Sequence, residues 1–243
     1  MSRKSRRNRA SPERQGPQVN KARQASRTRR RGILIGIVVA VLLAVVVGTL
    51  LFKGDRPQSS QVTTVGNPDP LASLHSPMLG DAAARVHIVE FIDPACETCA
   101  QFFPLVKQLL AENPDRIRLS IRHVAFHDGS DYAVRLLEAS RKQDKYLPTL
   151  EALLASQAQW APHHTVQPDL VLRAISGVGL NIEQLLVDMD APEVAQRMEQ
   201  DRSDAVALKV TATPEYFVNG RSMPSFGEQQ LMSLVSDALQ SAY

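Results

Sequence analysis

The sequence predicts an α/β domain that follows a single membrane-spanning helix, and three observations support this prediction. Residues 33–52 form an apolar run of 20 residues without a charge, which is long enough to cross a hydrocarbon core of about 30 Å. Residues 85–92 and 117–124 have the β-branched and apolar character of strands. Apolar residues at helical spacing follow the first strand and recur up to about residue 208, so helices are expected around the strands.

The positive charge of the chain is concentrated at its start. Residues 1–31 carry 12 Lys and Arg and one acidic residue, whereas the remainder carries 16 Lys and Arg against 24 acidic residues. This first segment lacks apolar periodicity, so we expect a disordered basic tail. Membrane topology explains its charge, because basic residues beside a span stay in the cytoplasm. We therefore expect no nucleic-acid partner and a C-terminal domain that faces outward.

The predicted anchor comprises residues 32–53 and contacts membrane lipid. Its apolar run exceeds the roughly 7–15 residues of a signal-peptide core, which indicates that it is not cleaved. Residues 54–77 contain four prolines among Ser, Gln and Thr, a composition that predicts a flexible linker. The folded domain is then expected over residues 78–243.

The chemistry is predicted to lie where the strand at 85–92 passes into a helix. A short interruption at residues 93–95 precedes a Cys-x-x-Cys motif formed by Cys96 and Cys99, and a helical apolar stripe follows it. Free amides and the dipole at a helix N-terminus favour a negative group, so they stabilise an accessible thiolate at Cys96. Cys99 lies one turn further along, where we expect it to be more buried and to attack a mixed disulfide at Cys96.

Cys96 and Cys99 are the only cysteines of the chain, which leaves no thiol for a second bridge or a four-cysteine zinc site. A purely structural staple is a weak alternative, because cross-linking so short a loop removes little entropy from the unfolded chain. The competing class of function is an anchored binding module whose cysteines capture a soft metal such as Cu(I).

Three segments of the chain resemble the thioredoxin superfamily and, more closely, the DsbA-like group of bacterial extracytoplasmic thiol:disulfide oxidoreductases. They are residues 89–91, the motif at residues 96–99 and Thr213-Pro214, and the resemblance covers about residues 76–243. It implies a thioredoxin fold with a helical insertion at about residues 128–208, between the central strands and the loop of Pro214. It also implies a single-pass protein of the bacterial inner membrane with its catalytic domain in the periplasm.

The resemblance further implies roles for individual residues. Glu90 takes the place of a buried acid that exchanges the proton of Cys99, and Pro214 takes the place of a cis-proline that faces the cysteines. Thr213 is expected to pair through its backbone with an extended substrate segment. Pro104 matches a proline inside the helix that follows the motif. The cysteine pair is itself the redox-active disulfide, so no other cofactor is implied.

Local patterns predict the remaining elements. Asn181 and Pro192 mark the starts of helices, and Ser225 with Glu228 predicts a capping box for an amphipathic closing helix. The dipeptide at residues 219–220, Asn-Gly, predicts a hairpin after the last long strand.

The histidines and the tryptophan are not expected to have a catalytic or metal-binding role. The six histidines lack metal-ligand spacing, so we expect them to be structural or solvent-facing. Trp160, the only tryptophan, is expected to pack in the core or a loop.

The sequence therefore predicts an enzyme that exchanges disulfides with cysteine-containing proteins outside the cytoplasm and is recycled by a redox partner. Glu97 and Thr98 lie between the cysteines, where they tune the thiolate. Strongly oxidising DsbA proteins usually carry Pro-His at these positions, whereas the carboxylate of Glu97 opposes a thiolate by like-charge repulsion. We expect a less extreme oxidant, and the oxidase, reductase and isomerase directions stay open.

Overall fold

The computed structural model describes residues 69–71 and 74–243. The predicted basic tail, the predicted span at residues 32–53 and the larger part of the predicted linker at 54–77 lie outside the described residues. Among the residues that are described, no helix combines the length and the apolar character needed to cross a membrane.

A mixed sheet of five strands lies at the centre of the domain. The strands follow one another in space as β1-β3-β2-β4-β5. The two long central strands, β2 and β3, run parallel, and the other pairs are antiparallel. The strands are β1 (Met78–Gly80), β2 (Val86–Ile92), β3 (Ile117–His123), β4 (Glu215–Val218) and β5 (Arg221–Ser222).

Helices cover the sheet and fill the long connection between β3 and β4. Six of them belong to this connection, which confirms the predicted helical insertion. The helices are α1 (Glu97–Glu112), α2 (Ser130–Ser140), α3 (Tyr146–Ala155), α4 (Gln157–Trp160), α5 (Pro168–Ala174), α6 (Ile182–Met189), α7 (Pro192–Ala207) and α8 (Glu228–Ala242).

Strand β2 is buried on both faces, as its nearly continuous apolar sequence predicts. Its side chains alternate between two clusters, because successive residues of a strand point to opposite faces of the sheet. Ile88 and Ile92 belong to the main core, which also holds the apolar faces of α1 and α8. Val89 and Phe91 belong to a smaller cluster. We call this smaller cluster the second core.

The linker predicted over residues 54–77 extends too far, because its last residues belong to the folded domain. Leu71 is buried in the second core, and the carbonyl oxygen of Pro70 accepts a hydrogen bond of 2.6 Å from Arg122. The backbone of Pro77 bonds to Ile121 of β3. These residues are part of the domain because Leu71 covers apolar surface of the second core, and the buried guanidinium of Arg122 needs the carbonyl oxygen of Pro70 as an acceptor.

The capping box predicted at Ser225 and Glu228 is also wrong. Helix α8 begins at Glu228 with Gly227 at its N-cap, so Ser225 lies outside the helix. The intervening Phe226 packs its ring against Phe102, with the two ring centroids 4.7 Å apart. This contact holds the segment in the loop that precedes α8.

Other local predictions are confirmed. The side chain of Asn181 caps α6 by accepting a hydrogen bond from the backbone of Gln184. Helix α7 begins at Pro192, and Pro104 lies inside α1. Trp160 is completely buried and donates its indole N–H to a backbone carbonyl.

Candidate active site

The cysteine motif lies at the junction of β2 and α1, as predicted. Cys96 is the N-cap of α1 and has an extended backbone, with φ −84° and ψ 117°. Glu97 is exposed, Thr98 is half-buried, and both belong to the first turn of the helix. The first sulfur therefore lies at the end of the helix where backbone N–H groups are free.

The two cysteines are not joined by a disulfide in this structure. Cys99 is completely buried, which confirms the predicted difference in depth between the two sulfurs. Cys96 exposes only 5% of its surface, which is less than we expected of an accessible nucleophile. The reason is that the loop of Thr213 lies against it, with 3.2 Å between the Sγ atom of Cys96 and the carbonyl oxygen of Thr213.

The acidities of the two thiols differ strongly. A hydrogen bond from the Cys99 thiol is the main cause that lowers the pKa of Cys96 from 9.0 to about 5, and burial opposes it. The side chain of Thr213 and the backbone amides of Cys99 and Thr98 lower this pKa further. Burial raises the pKa of Cys99 far above its usual range, and the negative charges of Cys96 and Glu90 add to the effect. At neutral pH the site therefore holds a thiolate at Cys96 and a thiol at Cys99.

The loop that faces the cysteines contains Thr213 and Pro214, and the peptide bond between them is cis, as the resemblance implied. Pro214 is buried, and Thr213 is half-buried. The hydroxyl oxygen of Thr213 is buried. The sheet brings this loop to the motif because β4, which begins at Glu215, pairs directly with β2.

Glu90 lies on β2 and is completely buried, so its predicted burial is confirmed. One carboxylate oxygen, Oε1, accepts a hydrogen bond of 2.9 Å from the hydroxyl of Tyr216, and the other, Oε2, has no partner among the described residues. Burial raises the pKa of Glu90 to about 7, helped by the charge of Cys96 and opposed by the Tyr216 hydrogen bond. Such a carboxyl group can gain and lose a proton near neutral pH.

Asp93, which sequence patterns had not singled out, fixes the loop before the motif. Its carboxylate is completely buried and accepts hydrogen bonds from the backbone N–H groups of Ala95 and Phe126 at 2.8 and 2.7 Å, and from the hydroxyl of Ser130 at 3.0 Å. The Asp-Pro pair after a buried strand was a usable signal, because an aspartate often accepts bonds from backbone N–H groups just after it in a turn.

The helical insertion also holds this loop. The side-chain amide of Gln157 donates to the carbonyl oxygen of Pro94 at 3.1 Å, and a ring nitrogen of His164 lies 3.2 Å from the carbonyl oxygen of Ala95. The imidazole of His164 stacks on that of His127 with 4.7 Å between centroids. These two histidines are structural, as expected, but they lie beside the active-site loop, which spacing in the sequence did not indicate.

Within residues 69–71 and 74–243, His, Cys, Asp and Glu side chains form no group of three or more that could hold a metal ion.

Comparison with known proteins agrees with this geometry. The family model described as Thioredoxin matches residues 72–237, which is more than half of the chain. A crystal structure of a thioredoxin-like oxidoreductase from Silicibacter pomeroyi is 32% identical in sequence and has a TM-score of 0.62, covering 73% of this chain and 99% of that chain.

Two curated relatives differ in how much of their length matches. The Na(+)/H(+) antiporter NhaA of Herminiimonas arsenicoxydans is 27% identical over 214 residues, which are 86% of this chain and 33% of that protein. The probable disulfide bond formation protein D of Bacillus anthracis is 24% identical over 198 residues, which are 76% of this chain and 87% of that protein. The chain thus spans about one third of the antiporter relative and most of the other. The family match, the 32% identity to the oxidoreductase and the paired cysteines together show that the chain belongs to the thioredoxin family.

Proposed function

We propose that this protein catalyses thiol:disulfide exchange with cysteine-containing proteins outside the cytoplasm, as the DsbA-like group does. In the oxidising direction, a thiolate of the partner attacks Cys96 in the Cys96–Cys99 disulfide. A mixed disulfide forms, and Cys99 leaves and takes up a proton. A second thiolate of the partner then attacks the partner's first cysteine sulfur in the mixed disulfide, and Cys96 leaves as a thiolate. Two electrons pass to the cysteine pair, and the partner gains a disulfide.

The observation that carries this proposal is the division of acidity between the two sulfurs. Cys96 has a pKa of about 5, so it is a good leaving group and is fully ionised at neutral pH. Cys99 is a buried thiol directly behind it, where it can close the disulfide and release a bound partner. The disulfide is the redox group, and the proposed chemistry requires no other cofactor.

The acidity of Cys96 also supports a direction for the exchange. A stabilised thiolate favours the reduced pair, which makes the disulfide an oxidant. The relative named for disulfide bond formation supports the same direction. We therefore expect a reduction potential between those of thioredoxin, about −270 mV, and DsbA, about −120 mV. A redox partner must then reoxidise the cysteine pair after each turnover.

The proposed location rests on the sequence. The apolar run at residues 33–52, preceded by the basic segment, supports an anchor in the inner membrane with the domain in the periplasm. Disulfide exchange fits that compartment, because disulfides persist in oxidising surroundings.

The experiment that tests the function uses Cys99→Ser in the full-length protein, expressed in its native membrane. Cys96 of this variant still forms mixed disulfides, but no thiol is left to resolve them, so partner proteins should stay attached on non-reducing gels. The matched control is Cys96→Ser, which should trap nothing. If neither variant traps a partner and Cys99→Ser instead loses affinity for added Cu(I), the soft-metal binding module is favoured and the exchange function is contradicted.

A further inference from the structure

We propose that Tyr216 is a positioning residue for Glu90: its hydroxyl fixes one carboxylate oxygen and leaves the other to exchange a proton with Cys99. This inference rests on the proposed function, because a proton carrier matters only if Cys99 reacts. It adds a residue from β4 to a site whose other side chains come from β2, α1 and the loop of Thr213.

The geometry that carries the inference is a direct pairing across the sheet. Glu90 and Tyr216 face each other in the antiparallel register of β2 and β4. The Tyr216 hydroxyl lies 2.9 Å from Oε1 of Glu90, and both residues are completely buried. The ring of Tyr216 also stacks on Phe102, with 6.2 Å between centroids and 28° between planes. This packing holds the hydroxyl in one place.

The hydroxyl acts only as a donor. Burial and the neighbouring charge of Glu90 hold the pKa of Tyr216 well above 10.0, so it does not ionise in the working range of the protein. A carboxylate whose Oε1 already accepts this bond has Oε2 available, and Oε2 is buried without a hydrogen-bond partner among the described residues. An unpaired buried oxygen is unfavourable unless it accepts a proton or a transient donor.

The reaction supplies that proton. When Cys99 attacks the mixed disulfide, a new S–S bond joins it to Cys96, and the partner leaves as a thiolate. The proton of Cys99 passes to Oε2 of Glu90, and it returns to Cys99 when the pair is reduced. The charge of Glu90 already contributes to the raised pKa of Cys99, so the two groups interact.

The position of Tyr216 in the chain explains how this arrangement is built. Tyr216 comes two residues after Pro214, and residues two apart in a strand share a face. Strand β4, which begins near Cys96, therefore places the Tyr216 hydroxyl beside Glu90. Residues 213–216 thus contact Cys96 through Thr213 and Glu90 through Tyr216.

The test compares the two steps of one reaction. Reduced full-length protein is mixed with Ellman's reagent, which releases one coloured thiolate when Cys96 attacks and a second when Cys99 resolves the mixed disulfide. In Tyr216→Phe, the loss of a hydrogen bond to a charged group should move the pH midpoint of the second release upward by about one to two units. The first release should change by less than about twofold, because Cys96 keeps its own hydrogen-bond donors.

Two comparisons exclude a general effect of losing a buried hydroxyl. Tyr146→Phe is the matched control, because that buried hydroxyl bonds to His123 and not to Glu90, and its midpoint should stay in place. In a Glu90→Gln background, adding Tyr216→Phe should produce no further shift. An unchanged midpoint in Tyr216→Phe, or an equal shift in both backgrounds, overturns the inference. If the wild type shows no first release of coloured thiolate, the proposed function itself is contradicted.

A spectroscopic measurement on the wild type covers the case in which Tyr216→Phe is unstable. The ¹³C resonance of the carbon that bears the Tyr216 hydroxyl should follow the titration of Glu90 and lose that dependence in Glu90→Gln. A resonance that ignores pH in the wild type overturns the inference.

Discussion

The Sγ atom of Cys96 lies 3.2 Å from the carbonyl oxygen of Thr213, although 117 residues separate them in the chain. All six helices of the insertion lie between these two residues. The sheet closes this distance because β4 returns to pair with β2. This contact explains why Cys96 exposes so little surface. Under the proposed function, a substrate segment that pairs with the backbone of Thr213 would be presented directly to the sulfur.

The first prediction concerns the ionisation of Cys96. Its rate of alkylation by iodoacetamide should rise with pH around a midpoint near 5, because the thiolate is the reactive form and the pKa is about 5. Mass spectrometry of the reduced protein at several pH values measures this rate. Cys96→Ser should remove the fast reaction and leave Cys99 unmodified in the folded state. A midpoint near 9 contradicts the proposed stabilisation of the thiolate.

The second prediction concerns stability and the charge of Glu90. The pKa of Glu90 is raised from 4.5 in the unfolded chain to about 7 in the folded one, so the folded state binds more protons between these values. Stability therefore falls as pH rises from about 4.5 to about 7, and the loss persists above that. Glu90→Gln should be more stable than the wild type at pH 8 by up to about 3 kcal/mol.

Urea unfolding of the reduced proteins at pH 4 and pH 8 measures this difference. The advantage of Glu90→Gln should nearly vanish at the lower pH, where the wild-type carboxyl is neutral in the folded state and mostly neutral in the unfolded one. An equal stability difference at both pH values indicates that the side chain acts through packing and contradicts the charge argument.

The third prediction concerns Glu97. Its carboxylate is exposed in the first turn of α1, next to Cys96. Because solvent screens the repulsion between the two negative charges, Glu97 disfavours the Cys96 thiolate only weakly. Glu97→Gln should raise the reduction potential by about 10–20 mV, because removing the charge stabilises the reduced pair. Equilibration with glutathione at low ionic strength measures the change, and added salt should shrink it. A lower potential in the variant has the wrong sign for this repulsion.

The fourth prediction concerns a buried ion cluster on the other face of the sheet. Arg122 has no exposed surface and bonds to Asp201, Asp204 and the carbonyl oxygen of Pro70. Arg122→Met should destabilise the domain by about 3–5 kcal/mol, because two carboxylates lose their buried partner. Chemical unfolding measures this. Disulfide exchange should persist below the unfolding transition, and Arg135→Met, which removes an arginine from exposed ion pairs, should change stability far less.

The sequence predicted the parts of the site that lie close together in the chain. Cys96 at a helix start follows from the change of periodicity between residues 92 and 102, and the burial of Cys99 follows from helical spacing. The resemblance added Glu90 and the cis bond before Pro214. The catalytic roles of these residues stay predictions.

The remaining features depend on which distant segments meet. Tyr216 lies 126 residues from Glu90 in sequence, and only the register of β2 and β4 brings their side chains together. Leu71 sits in a proline-rich stretch that is typical of linkers, and its burial depends on apolar surface left open in the second core. Local pattern carries no information on either contact, since both are decided by tertiary packing.

The two hydrogen bonds that join Gln157 and His164 to the carbonyl oxygens of Pro94 and Ala95 have a consequence for protein engineering. An insertion transplanted from another member of the family places different side chains against these two oxygens. The loop should then hold Cys96, which follows Ala95, in a different position. Chimaeras that exchange the segment between β3 and β4 should therefore inherit reactivity from the donor of the insertion as well as from the donor of the cysteines.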